Sequence, residues 1–260
     1  MGRADVGRAA ADARRAIARL ARPPGDFDAR RYFRGDVDLR FYNVGTQAMR
    51  RLARTVHSER RGTWSVDDAM AFATLLIRDD YLEVKSIGIE VVARYRRDFT
   101  PRLLPAWKRW LADNHSANWA TTDAICGSLI GPLLVQHPAL ASDMRNWARH
   151  RNMWVRRAAA VSLIPMVRPS TRVRDAGSLR AGRGLDLAYQ VARTLHPDPH
   201  DLIHKAVGWM LREAGKSDLN RLERYLRSEG ASIPRTTVRY AIERFPPRKR
   251  RDLLAATRCS

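Results

Sequence analysis

Apolar residues recur at three- and four-residue intervals along most of this chain, and strand-like alternation is scarce. The first such run, about 5–21, is rich in Ala and Arg and stops before Pro23-Pro24. Tyr32-Phe33 then precede an irregular stretch through Asn43. The period resumes over about 44–58. Ser65, followed by Val66-Asp67-Asp68, is a good N-cap with acids in the first turn, so a helix opens there. Asp79-Asp80 mark its end. Further helices are predicted over about 81–97, 101–112, 139–150 and 153–167, and Ser116 or Asn118 can cap one running to about Gln136. The pattern breaks over 168–184. There Arg168, Arg172, Arg174, Arg180 and Arg183 are mixed with Gly177, Gly182 and Gly184, which predicts a basic loop insertion. Helices resume at about 185–196, 200–214, 217–229, 234–245 and 248–258, punctuated by Pro197, Pro199, Pro234 and Pro246-Pro247.

This pattern predicts an all-α fold of about a dozen helices joined by short turns. Helix pairs then repeat at about 40 residues, the HEAT/armadillo spacing. The expected architecture is an α-solenoid of HEAT-like helix pairs, a curved superhelix with a long, basic concave face. No Gly/Pro-rich linker separates independent domains, so residues 1–260 are taken as one domain, with 1–27 as an N-terminal helix region.

Charge sharpens the picture. The formal net charge is +21, and only five of the 48 basic residues are Lys. Such an excess calls for an anionic partner, nucleic acid or anionic membrane. Arg offers a planar fork for bidentate phosphate contact, which Lys does not. No apolar run reaches the roughly 18 residues that span a bilayer. The longest candidate, Ile125 to Val135, is short and is interrupted by Gly131-Pro132. No secretory signal core is evident, and Cys126 and Cys259 give neither a disulfide framework nor zinc spacing. A cytoplasmic setting is expected.

Several kinds of chemistry find no support. There is no Walker loop, no GxSxG elbow and no dinucleotide fingerprint. His196, His200 and His204 are spaced by four, but Pro197 and Pro199 interrupt the first interval and no acid or Cys completes a ligand set, so no metal or cofactor is expected.

Three segments remain. In Asn118-Trp119-Ala-Thr-Thr-Asp123, Trp119 and Asp123 are four apart and share one helical face. A carboxylate beside an indole suits a cation. The plainer alternative is a core Trp and a solvated acid. In Lys205-Ala-Val-Gly-Trp209-Met-Leu-Arg212-Glu213, Trp209 sits among Ala206, Val207, Met210 and Leu211 and on its own reads as a core residue. Arg156-Arg157 follow Trp154-Val155 and are either a solvated pair or a phosphate clamp.

Together these segments resemble the AlkD-like DNA glycosylases, the HEAT-repeat DNA alkylation repair proteins. Asn118-Trp119-(x3)-Asp123, Trp154-Val-Arg-Arg-Ala-Ala and Lys205-Ala-Val-Gly-Trp209-Met-Leu-Arg-Glu213 carry the likeness, and Pro234-Arg-(x3)-Arg239-Tyr-Ala-Ile-Glu243 extends it. It covers roughly residues 30 to 245. The loop at 168–184 looks longer than in compact members, and Tyr32 to Arg51 matches only loosely.

The resemblance implies that Trp119, Asp123 and Trp209 line a catalytic cleft. It further implies that Arg157 contacts DNA phosphate, with Arg156, Arg212 and Lys205 as further DNA-binding candidates. The implied activity is hydrolysis of the N-glycosidic bond of cationic N3- or N7-alkylated purines, including bulky adducts, by a monomer acting on double-stranded DNA. The alternative is a non-catalytic HEAT-repeat protein that binds unusual DNA structures.

Overall fold

Helices form where the apolar period predicts them, and they end where backbone chemistry interrupts them. The computed structural model describes residues 3–25, 31, 33, 39–169 and 177–258. Among these the chain is all-α, with one isolated bridge between Arg40 and Tyr81. In order, the helices are α1 (Arg3–Ala18), α2 (Thr46–Glu59), α3 (Val66–Leu76), α4 (Leu82–Val92), α5 (Leu104–Ala112), α6 (Trp119–Ile125), α7 (Gly131–Gln136), α8 (Met144–Trp147), α9 (Met153–Val161), α10 (Ile164–Val167), α11 (Gly177–Leu195), α12 (Asp201–Gly215), α13 (Leu219–Glu229), α14 (Arg235–Ala241) and α15 (Pro247–Ala256). No helix of the described residues is long and apolar enough to cross a membrane.

Several predicted helices divide or change pitch: those expected over 101–112 and 139–150 open as 3-10 segments, Pro101–Leu103 and Pro138–Asp143, and three more change further along. The helix expected over 153–167 divides because Pro165 has no N–H to give the carbonyl of Val161, where α9 ends. The helix expected to reach Gln136 becomes α6, a π-helical turn Cys126–Ile130, and α7. Pro132 likewise cannot donate to the turn before it, and the wider π ring absorbs the missing bond. The helix expected over 81–97 tightens after α4 into a 3-10 segment, Ala93–Asp98, kinked at Tyr95.

The 168–184 insertion is corrected. Residues 170–176 lie outside the described residues, so Arg172 and Arg174 do too. From Gly177 onward the chain is already helical in α11, which places Arg180 and Arg183 on a helix rather than in a loop. Arg168 is not a loose arm residue either: its Nε donates to Glu213 at 2.7 Å.

The chain falls into two compact units, Met1–Leu129 and Ile130–Ser260. In the first, α3 and α4 form the centre around buried Phe72, Leu76, Ile87 and Ile89. Ser65 caps α3 reciprocally with Asp68, as its sequence predicts. Helix α1 is fixed to this centre by Arg14, which reaches Asp79 at 2.8 Å, and by the Trp64 indole, which donates to Asp5 at 2.9 Å. In the second unit α12 is central. It packs on α9, α11, α13 and above all α14. That last approach needs a glycine: a Cβ at Gly208 would lie 2.5 Å from Tyr240 Cβ and 2.8 Å from the Thr237 carbonyl oxygen.

A contrasting pair of substitutions tests this packing. Gly208→Ala is expected to destabilise the protein by about 2–3 kcal/mol through backbone overpacking. Gly7→Ala in α1, where a new Cβ meets nothing within 4 Å, is expected to stabilise it by roughly 0.5–1 kcal/mol. Urea midpoints that shift alike for both would show that the α12–α14 approach is not tight.

Candidate functional site

Helix α6 opens a helical run that continues through the π turn into α7, and what fixes its start is the chain before it. The loop before it supplies the hold. After α5, Asn114 takes φ 59°, and its N–H and that of His115 return to the carbonyls of Leu111 and Trp110 at 3.2 and 2.9 Å. This is a Schellman stop. Ala117 also sits at positive φ, 51°, a conformation a Cβ disfavours and the surroundings must enforce. They do so through Asn118, which is fully buried. Its Oδ1 accepts the Thr121 N–H at 2.8 Å as the N-cap of α6, while its Nδ2 donates to the Ser116 carbonyl at 2.7 Å and to the Thr121 hydroxyl at 2.9 Å.

Lys85 of α4 fixes the same loop from below. Its side chain is buried and donates to the His115 carbonyl at 2.6 Å and the Ile77 carbonyl at 3.2 Å. Burial pulls its pKa below the ordinary lysine value, and Asp79 and Asp80 oppose that shift.

So held, α6 buries Thr121, Thr122 and Ile125. Trp119 and Asp123 are only half-buried, one turn apart on the opposite side. The core alternative for Trp119 therefore fails. Phe33 stacks on its indole, with ring centroids 5.1 Å apart and planes 14° apart, and Phe41 lies 5.2 Å beyond Phe33. Nothing in the period of the sequence marks Phe33. It stands in an irregular segment, and only its aromatic type hints at a packing role.

In the second unit, Lys205, Trp209 and Arg212 follow one another at helical spacing along α12, half-exposed, while Ala206, Val207, Met210 and Leu211 are buried. Trp209 is thus not a core residue. Lys205 pairs with Asp201 at 2.8 Å. Arg212 is bound to Glu243 and lies 3.7 Å from Glu213.

The arginine pair of α9 does different work from a solvated pair. Arg156 Nε reaches Asp198 at 2.5 Å, and its Nη1 donates to the carbonyls of His150 and Arg151, both at 2.9 Å. Asp198 also caps the turn into α12, accepting the His200 N–H at 3.0 Å, and its carbonyl meets His204 Nε2 at 2.6 Å. Arg157 is 5% exposed and donates to the Leu202 carbonyl. Both arginines therefore tie α9 to the first turn of α12, the helix that carries Trp209. His196 is engaged elsewhere, with Tyr225 at 2.7 Å.

The family model of the DNA alkylation repair enzymes matches residues 13–245. The chain belongs to this family. Among solved structures, a predicted DNA alkylation repair enzyme from Enterococcus faecalis is similar at TM-score 0.67 and 16% identity, over 84% of this chain and 92% of that one. At that identity the likeness establishes the shared fold. No curated protein matches the chain. Within this DNA alkylation repair family member, the matched span takes in α6, α9 and α12 and every candidate site residue on them.

The ties around α6 and α12 can each be cut by one substitution. Arg156→Ala is expected to lower stability by about 3 kcal/mol, because it strands a buried carboxylate on Asp198, whose side chain is 4% exposed. A thermal midpoint within a degree of wild type would remove the tie. Asn118→Ala is expected to cost about 2 kcal/mol from the lost cap and the orphaned Ser116 carbonyl. It should also alter Trp119 fluorescence, whereas a mere surface Asn would leave both unchanged.

Proposed function

We propose that this alkylation repair family member is a DNA glycosylase that releases cationic N3- and N7-alkylated purines, bulky adducts among them. The observation that supports it most is the pairing on α6 of a half-exposed indole with a half-exposed carboxylate one turn away. Alkylation at N3 or N7 gives the base a positive charge, which makes it a good leaving group. As the C1′–N bond breaks, the base takes the electron pair and becomes neutral. The sugar gains oxocarbenium character. A water oxygen then bonds to C1′ and gives up its proton.

Asp123 is suited to stabilise the cationic sugar and to orient that water. At about 4 Å and an effective dielectric near 20, the attraction is on the order of 4 kcal/mol. That corresponds to roughly a thousandfold in rate. The indole of Trp119 would add roughly 0.5–2 kcal/mol toward the cationic sugar or base, and we assign Trp209 of the second unit a catalytic role as well, through its own half-exposed indole. Recognition by charge in this way needs no tight pocket around the base. It therefore tolerates a large substituent and discriminates weakly between purines.

For the phosphates, Lys205 and Arg212 are the accessible cations of α12, with side chains 40% and 21% exposed. Arg157 is 5% exposed and donates to the Leu202 carbonyl, and we assign it a phosphate contact alongside its tie to α12.

The test is incubation with duplexes carrying N7-methylguanine or N3-methyladenine, with released base and abasic sites assayed. Asp123→Asn is expected to retain fold and DNA affinity while base release falls by roughly two to three orders of magnitude, as the carboxylate's attraction for the cationic sugar is lost. Unchanged release in the folded variant would remove Asp123 from the reaction, and no release by wild type would favour the non-catalytic binder. Lys205→Ala is expected to weaken binding similarly on all sequences and to reduce the salt slope by about one. A wild-type slope would leave Lys205 as a partner of Asp201 alone.

A further inference from the structure

The second unit contains a cavity of about 620 Å³ between α11 and α13, and no residue of α9 or α12 lines it. Its walls are two tyrosines, Tyr189 and Tyr225, with ring centroids 4.6 Å apart. Each ring carries a guanidinium over its face: Arg221 lies 4.9 Å from the centre of Tyr189, and Arg193 lies 5.1 Å from that of Tyr225. Stacking of this kind fixes the plane of an otherwise mobile side chain. Each guanidinium is also held by an acid, Arg221 by Asp186 and Arg193 by Glu229 at 2.7 Å.

The acids at the cavity are already committed. Asp186 is the partner of Arg221, and Asp218 caps α13, accepting the backbone N–H of Arg221 at 2.8 Å. Arg224, by contrast, lines the cavity, is exposed and forms no ion pair among the described residues. Tyr225 spends its hydroxyl on His196, at 2.7 Å. Tyr189 does not: it is 3% exposed, and its hydroxyl is buried without a hydrogen-bond partner. A buried donor with no acceptor is uncommon in a finished structure. Burial raises the Tyr189 pKa to about 12, so at neutral pH the proton stays on and the group remains a donor.

Three guanidiniums thus line a single polar cavity, two of them fixed by stacking and by ion pairs and the third, Arg224, without an ion pair among the described residues. From this arrangement we propose that the α11–α13 cavity is a phosphate-binding site, with Arg193, Arg221 and Arg224 as its ligands. Planar forks on rigid stems match the oxygens of a phosphate better than they match a neutral or apolar ligand. The volume admits a phosphate together with the sugar that bears it. The phosphate comes either from a nucleic-acid backbone or from a free molecule of nucleotide size. The site uses no residue of α6, α9 or α12, so its test is independent of base release.

The experiment uses the full chain. Inorganic phosphate and adenosine monophosphate are titrated calorimetrically at constant ionic strength into wild type, Arg224→Glu, Arg221→Gln and Arg248→Glu. Arg248 is exposed on α15 and is not among the cavity's lining residues, and its reversal matches the charge change of Arg224→Glu. Arg224→Glu is expected to weaken phosphate roughly tenfold and Arg248→Glu less than about twofold. Because Arg224 makes no ion pair among the described residues, its reversal leaves the packing of α13 intact. Arg221→Gln removes a second ligand without adding an acid and should weaken phosphate as well.

Binding of undamaged duplex is then measured against salt. A slope lower by about one in Arg224→Glu, but not in Arg248→Glu, assigns the site to DNA backbone. Loss confined to phosphate and the nucleotide assigns it to a free ligand. Wild type that binds no phosphate, or equal losses in Arg224→Glu and Arg248→Glu, would overturn the proposal.

Discussion

A buried ammonium decides where the candidate chemistry of the first unit sits. Lys85 rises from α4 in the centre of that unit and spends its donors on two backbone carbonyls, one at the end of α3 and one in the loop before α6. Burying a cation is unfavourable unless its hydrogen bonds are satisfied. Here two of the three N–H donors find carbonyls, and each acceptor belongs to a segment that must be held still. The loop it holds contains Ala117 at positive φ and the buried Asn118, so backbone strain and cap depend on the same anchor. The first turns of the helical run that opens at α6 are thereby presented with their indole and carboxylate outward.

The second unit solves the same problem with a different bond. There the Arg156–Asp198 pair and the Arg157–Leu202 contact fasten α9 to the start of α12, and Gly208 lets α14 close on the other side. Trp209 is the next residue after that glycine. The close α12–α14 approach thus fixes the stretch of helix that carries it. Glu213, one turn on, is buried and collects Arg168 and Lys216, both at 2.7 Å. Burial pushes its carboxyl up, but these two partners prevail and hold it below the ordinary glutamate range. A charged residue in each unit thus does the positioning, and a neighbouring aromatic is left partly accessible.

Much of this was legible in the chain because helices are periodic and caps are local. Ser65 with Asp68, and the shared face of Trp119 and Asp123, depend only on spacing. What was hidden depends on contacts distant in sequence. Phe33 stacks on Trp119 from far upstream in the chain, and no local pattern announces it. Arg156 and Arg157 look like surface charge until Asp198 and Leu202 are brought beside them. The start of α11 was obscured because Gly177, Gly182 and Gly184 are poor helix formers, yet tertiary packing overrides propensity: a Cβ at Gly184 would come within 3.3 Å of the Met166 carbonyl, so a glycine suits that close passage. The breaks near Pro132 and Pro165 were visible as residues. Their effect is defined only once the missing donors are matched to particular carbonyls.

The charge excess divides the labour between affinity and recognition. Many arginines serve the fold, as the pairs of Arg14 with Asp79, Arg156 with Asp198 and Arg168 with Glu213 show. Pairing cannot absorb the excess, because the chain has 48 basic residues against 27 acids and keeps a net charge of +21. That remainder favours any polyanion and gives attraction to DNA without regard to sequence or damage. It cannot by itself distinguish an alkylated base from a normal one, since both carry the same phosphates. Discrimination must then arise where the local field has the opposite sign. On a surface this basic, a half-exposed carboxylate beside an indole is such a place. Under the proposed glycosylase activity, a cationic lesion would be drawn toward it, while a neutral base would gain little. In this reading the long-range positive field brings the duplex to the protein, and the short-range field at Asp123 selects what is repaired.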